Sequence, residues 1–263
     1  MRLTTSHWLK ALATAFIFLT RLPMPRFESI APEDEGRSLL CFPIVGLVIG
    51  LMMLVLTKAL FPLTSPLVIA AVLVAFWAAV TGGLHLDGLA DSADGWLGGT
   101  NDVNRTLEIM HDSRCGSGAL VAVVCVLLVK FAALTIVVQH QLWMVLIIAP
   151  ILGRCIAPLL FIPGPFPYAP YVQPSGIAKH FIEHCPAIAR QTTLAAIILC
   201  GIALGSITSG LLILGSCTLI LFLLRRLMLQ RLGGATGDTA GAATEIIETT
   251  ALLSAGLFLV PTL

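Results

Sequence analysis

A chain of 263 residues that is 57% hydrophobic and only 11% charged is not composed like a soluble globular domain, in which about a quarter of residues are charged. Its formal net charge of +1 lacks the basic excess that a nucleic-acid partner demands. The seven cysteines form no CxxC pair and sit mostly in or beside apolar runs, so they read as small buried hydrophobes and not as a disulfide framework or zinc site.

In chain order, MRLTTSHWLKALATAFIFLTRLP joins a basic start to an apolar run over 11–20. No small-residue cleavage site follows, so the segment is expected to be retained as a short span or an interfacial helix. The runs at 39–60, 67–83, 119–138 and 142–161 approach the roughly 20 apolar residues that a membrane helix needs. The stretch 192–224 is too long for one span and is expected to split at 206–210. A last run, 246–260, contains Glu248. No long segment alternates in polarity as a barrel strand would. The expectation is an all-α polytopic membrane bundle of about seven or eight membrane helices, in a single catalytic domain over 1–263.

Alternating spans place segments 21–38, 84–118, 162–193 and 225–245 on one side. They carry most of the fifteen basic residues, and the opposite connections at 61–66, 139–141 and 208–210 carry none. The positive-inside rule makes that side the cytoplasm, although Arg2 and Lys10 count against an outside N-terminus. Every one of the fourteen carboxylates lies in the same segments except Glu248, which would sit just inside the membrane. Acids contribute little to topology, so an acidic site on the cytoplasmic face is expected.

The stretch TGGLHLDGLADSADGW, 81–96, places Asp87, Asp91 and Asp94 at i, i+4 and i+7. On a helix they share an arc of roughly 60°. Like charges crowded at a membrane boundary call for a cation, and carboxylate oxygens suit Mg²⁺ or Mn²⁺. The alternative is a solvated helix end. His85 faces away from that arc. In LEIMHDSRCGSGAL, 107–120, Arg114 stands beside a turn containing Gly116 at the start of a span, which is either a phosphate cradle or an ordinary helix start. Asp112 could join the metal site. RLGGATGDTAGAATEIIE, 231–248, is either a close-packing helix face or a phosphate nest over Gly234, Thr236 and Gly237, with Asp238, Glu245 and Glu248 as a second acid cluster. Arg154 either snorkels or meets a substrate phosphate or an acid. Lys130, in mid-span, has no evident role. The proline-rich loop 162–193 is long enough to serve as a lid.

Acids for a divalent metal, arginines for phosphate and no serine or cysteine nucleophile constellation together suggest phosphoryl transfer to a substrate hydroxyl. The motifs FLTRLPMP, FPIVGLVIG at 42–50, TGGLHLDGLADSADG at 81–95, EIMHDSRCGSGAL at 108–120 and LGGATGDTAGAATEIIE at 232–248 resemble those of the cobalamin synthase family, the adenosylcobinamide-GDP ribazoletransferases. The segment 121–230 matches mostly by hydropathy and by Gly153-Arg154.

The resemblance implies a Mg²⁺-dependent enzyme of the bacterial inner membrane. It joins α-ribazole or α-ribazole 5′-phosphate to adenosylcobinamide-GDP, releases GMP and forms adenosylcobalamin or its 5′-phosphate. It implies Asp87, Asp91, Asp94 and Asp112 as metal ligands, and Asp238 and Glu245 as further catalytic acids. Arg114, Gly116, Arg154, Gly234, Thr236 and Gly237 would bind substrate. DGLADSAD also loosely echoes the DGxxAR core of CDP-alcohol phosphotransferases, but Ala90 is followed by Asp91 and not by arginine. A cation transporter is the alternative of another class, although its acids would be expected at the membrane midplane. Small-residue faces permit, without requiring, a homo-oligomer.

Overall fold

The computed structural model describes residues 7–100, 102–173 and 177–260. Arg2, which entered the charge argument, lies outside them. The described chain forms twelve helices: α1 His7–Leu19, α2 Pro32–Leu60, α3 Pro66–Thr81, α4 Leu84–Gly98, α5 Val103–Met110, α6 Ser117–Gln139, α7 Trp143–Arg154, α8 Ile156–Phe161, α9 Ile177–Glu183, α10 Ala189–Ala203, α11 Ile207–Leu232 and α12 Gly237–Phe258. A single parallel bridge, Tyr171 to Ala235, is the one strand-like pairing among the described residues.

Among the described residues, four stretches are long and apolar enough to cross a membrane: α2, α6, the continuous Trp143–Phe161 of α7 and α8, and α11. The bent pair of α3 and α4 makes a fifth if it is taken as one span. This is fewer than the seven or eight expected. Helices α1 and α10, at 13 and 15 residues, are shorter than the roughly 20 residues needed to cross the hydrocarbon core. Helix α12 has the length, but polar residues dilute its apolar character, and most of its side chains are buried in protein. The break in the 192–224 stretch falls at 204–206, beside the expected turn. Gly205 there takes a φ of +75°, and Ser206 caps α11.

Packing follows small residues. Gly46 and Gly50 of α2 form a GxxxG face against α7. A Cβ at Gly46 would lie 2.6 Å from the Pro150 carbonyl oxygen, and one at Gly50 2.6 Å from the Ile147 Cα. Backbones this close gain dispersion contacts that larger side chains would prevent. At the end of α3, Gly82 and Gly83 take φ of +63° and +72°, a region that glycine enters without steric cost. The chain turns by 89° there. Helix α4 therefore leaves the line of α3 and lies against α12 and α6. A Cβ at Gly88 would come within 2.7 Å of the Asp238 carbonyl oxygen, so α4 meets the start of α12 almost backbone to backbone. Helix α12 is the central element, packed by α4, α6, α7 and α11. The outer faces of α6, α10 and α11 expose leucine, isoleucine and valine, as lipid-facing helices do.

Candidate active site

The 89° turn brings α4 beside the first turn of α12, the His111 end of α5 and the strap at 171–173. Together they enclose a cavity of about 500 Å³. Asp87, Asp91, His111 and Asp238 line its more exposed end. Leu19, Phe42, Phe161, His85 and Arg154, all buried, line the other. Asp91 lies among the like charges of Asp87, Asp238 and Asp94. The His111 Nδ1 lies 2.6 Å from the Leu107 carbonyl oxygen. That contact places a proton on Nδ1 and leaves Nε2 as an acceptor facing the Gln173 side-chain amide.

Gln173 ties the mouth together. Its Oε1 accepts from the Tyr171 hydroxyl at 2.9 Å and from the Gly237 N–H at 3.3 Å. Its Nε2 donates to Asp238 Oδ2 at 3.4 Å and lies 3.4 Å from His111 Nε2. The end of α8 and the turn that leads into the strap are held by the buried Arg190, whose guanidinium donates to the carbonyls of Leu159, Ile162, Pro165 and Phe166. The lid-like loop expected from the sequence thus reaches the cavity, although Tyr171 and Gln173 carried no motif that would have singled them out. His85, read as facing away from the aspartate arc, forms part of the buried wall.

The four aspartates expected to hold one metal are divided. Asp87 and Asp91 face the cavity. Asp94 and Asp112 border a separate, shallower concavity with Arg114 and Gly116. The Asp94 carboxylate accepts the N–H groups of Gly116 at 2.6 Å and Ala119 at 2.8 Å. It occupies the N-terminus of α6, where a phosphate cradle was expected. The Arg114 guanidinium donates to both Asp112 oxygens at 2.6 to 3.1 Å, which pulls the Asp112 carboxyl down to about 2 and raises Arg114. The pair stays ionic throughout the working pH range. Among the described residues, no three His, Cys, Asp or Glu side chains converge as a preformed metal shell.

Glu245 does not line the cavity. The Lys130 ammonium of α6 lies 2.5 Å from Glu245 and 3.0 Å from Glu248, both on α12. Arg154 Nη1 pairs with the other Glu248 oxygen. Lys130 also sits 4.4 Å over the Trp77 ring. Two cations and two carboxylates, all buried, form a neutral quartet across α6, α7 and α12. Lys130, unexplained by sequence, is its counter-ion. Arg154 belongs both to the quartet and to the cavity wall, and its Nε and Nη2 have no partner among the described residues. Gly237 lines the cavity, but Thr236 and Gly234 serve the fold. The Thr236 hydroxyl caps α12 by accepting the Thr239 N–H at 3.1 Å, and Gly234 backs onto Pro170.

The sequence model of the family described as cobalamin-5-phosphate synthase matches residues 11–256. A protein of Stutzerimonas stutzeri, named adenosylcobinamide-GDP ribazoletransferase, is 45% identical over 246 residues, covering 94% of this chain and 97% of its own. Proteins of the same name from Pseudomonas fluorescens and Pseudomonas aeruginosa are each 44% identical, over 93% and 95% of this chain and 98% of their own. No solved structure matches. With the family's sequence pattern running from the first helix to the last and relatives aligned almost end to end, this chain belongs to the cobalamin-5-phosphate synthase family.

Proposed function

We infer that this protein is an adenosylcobinamide-GDP ribazoletransferase. It transfers the adenosylcobinamide phosphate to α-ribazole or its 5′-phosphate and releases GMP, in the assembly of the cobalamin nucleotide loop. The observation that carries this reading, beside family membership, is the convergence of Asp87, Asp91, Asp238 and His111 on one cavity. A ribazole hydroxyl oxygen bonds to the phosphorus that carries the cobinamide. The bond from that phosphorus to the GMP oxygen breaks, and GMP leaves with the electron pair. We assign His111, which lines the cavity, as the base that takes the hydroxyl proton on Nε2, and its replacement by alanine is expected to lower kcat by about 10²-fold or more.

Mg²⁺ is the cofactor we propose, held by Asp87 and Asp91 with help from Asp238. The donor set fits: these are hard oxygen ligands on one cavity, and the like charges around Asp91 favour a cation. Mg²⁺ is usually held by one or two carboxylates together with substrate phosphates, so a preformed protein cage is not required. When bound it would neutralise diphosphate charge. The clustering of basic residues on the site's side supports an inner-membrane enzyme whose site faces the cytoplasm.

The test is GMP release from adenosylcobinamide-GDP and α-ribazole 5′-phosphate by the purified protein in liposomes, with and without Mg²⁺. Metal-dependent release with a joined corrinoid is expected. Release undiminished after chelation would refute the metal assignment, and a folded protein without turnover would refute the activity.

A further inference from the structure

The family's two substrates differ greatly in size and polarity, and the buried end of the cavity is lined mostly by apolar side chains. Resting on the ribazoletransferase reading, we propose that this buried end receives the benzimidazole base of α-ribazole, while the corrinoid diphosphate meets the acids from outside.

Volume is the first argument. About 500 Å³ lies within the range of roughly 300–1,000 Å³ typical of sites that enclose a small ligand. A nucleoside fits such a space. An adenosylated corrin ring carrying a guanosine diphosphate is several times larger than a nucleoside and cannot be enclosed there.

Lining is the second argument, because guanosine and ribazole are of similar size. Leu19, Phe42 and Phe161 form an apolar, partly aromatic wall at the buried end, and Phe18 extends it. Such a wall matches a dimethylbenzimidazole ring, which is flat, apolar and uncharged. Guanine carries several donors and acceptors along its edges. Those beyond the reach of His85 and Arg154 would be left unpaired against this wall, at about 1–3 kcal/mol each.

The third argument is an unmet valence in the wall. Arg154 is 2% exposed and spends only Nη1 on Glu248, while its Nε and Nη2 donors find no partner among the described residues. Buried donors are almost always satisfied in a working protein. The ribazole base offers one in-plane nitrogen acceptor, and one of these two Arg154 donors would bind it. With the base seated there, the ribose is directed back toward Asp87, Asp91 and His111 at the open end. Its hydroxyl then meets the phosphate arriving from solvent.

Two cavity-filling variants test this, Ala157→Phe on α8 and Ala178→Phe on α9, both on the cavity lining. Each is expected to raise the KM for α-ribazole about tenfold or more, as steric exclusion from a closed pocket does, with the KM for adenosylcobinamide-GDP within about twofold of wild type. A KM increase confined to adenosylcobinamide-GDP, or no change in either KM, would overturn the proposal. A second measurement uses unaltered protein, so it does not depend on the variants folding. Free dimethylbenzimidazole should inhibit competitively against α-ribazole and not against the corrinoid. Absence of inhibition, or competition with the corrinoid, would overturn the assignment. Equilibrium dialysis of α-ribazole against wild type and variants reads the same pocket without turnover. A wild type that binds ribazole in an Ala157-sensitive way but releases no GMP would refute the activity and leave the pocket assignment standing.

Discussion

At the scale of single residues, the aspartates of α4 are not equivalent. Asp87 and Asp91 face the cavity, and Asp87→Asn or Asp91→Asn is expected to cut the rate of GMP release by about 10²-fold or more, as loss of an electrostatic contact to a reacting phosphate does. Asp94 is spent on the N–H groups that start α6. Asp94→Ala is therefore expected to cost about 1 kcal/mol of stability, the worth of a helix cap. It should lower the Tm in detergent, with a far smaller effect on kcat than either cavity variant. An Asp94→Ala protein of normal Tm and abolished turnover would reverse this assignment. The i, i+4, i+7 spacing made all three legible as a set, because one helix face is a property of local geometry. That α6 would arrive over Asp94 and claim it was not legible, because the contact spans residues 94 and 116 through a turn with no periodic signal.

At the scale of elements, the bundle is joined by charge as well as by small residues. Lys130 links α6 to α12 through Glu245 and Glu248, and Arg154 links α7 to α12 through Glu248. Breaking a buried ion pair by removing one partner typically costs about 3–5 kcal/mol, since the remaining charge is stranded. Lys130→Met is expected to lower thermal stability in detergent by that order. The double variant Lys130→Met, Glu245→Met, which restores neutrality around Arg154 and Glu248, should recover most of the loss. A double variant no more stable than the single one would show that the quartet is not held by charge balance. In sequence, Glu245 stood out as an acid beside TGDT and Lys130 as an anomaly. Their mutual explanation needed α6 and α12 side by side, a pairing 115 residues apart.

At the scale of the whole molecule, the outer faces of α6, α10 and α11 expose apolar side chains, and the proposed site is expected at the cytoplasmic face. Cys115 provides a marker for that face, being exposed and at the edge of the acidic region. A membrane-impermeant maleimide is expected to label Cys115 in inside-out vesicles and to leave right-side-out vesicles unlabelled. The opposite pattern would place the site on the outer face. Cys125, also exposed, lies on α6 among apolar side chains that face lipid, so an aqueous reagent should not compete for it.

Membrane class, helical architecture and family were legible in the sequence, because hydropathy, charge asymmetry and short motifs are local or additive properties of a chain. Asp87 and Asp91, read as sharing one helix face, both line the cavity. The tertiary structure decided which expected residues share a cavity and which hold the fold. Asp238, from α12, joins Asp87 and Asp91, while Asp94 caps α6, Glu245 binds Lys130 and Thr236 caps α12. It also brought in His111 from the end of α5 and Tyr171 and Gln173 from the strap, and made His85 of α4 part of the buried wall. The physical reason is the same in each case. A buried charge or hydrogen-bonding group must find a partner, and which partner it finds depends on the angle at Gly82-Gly83 and on the close approach of α4, α6 and α7 to α12.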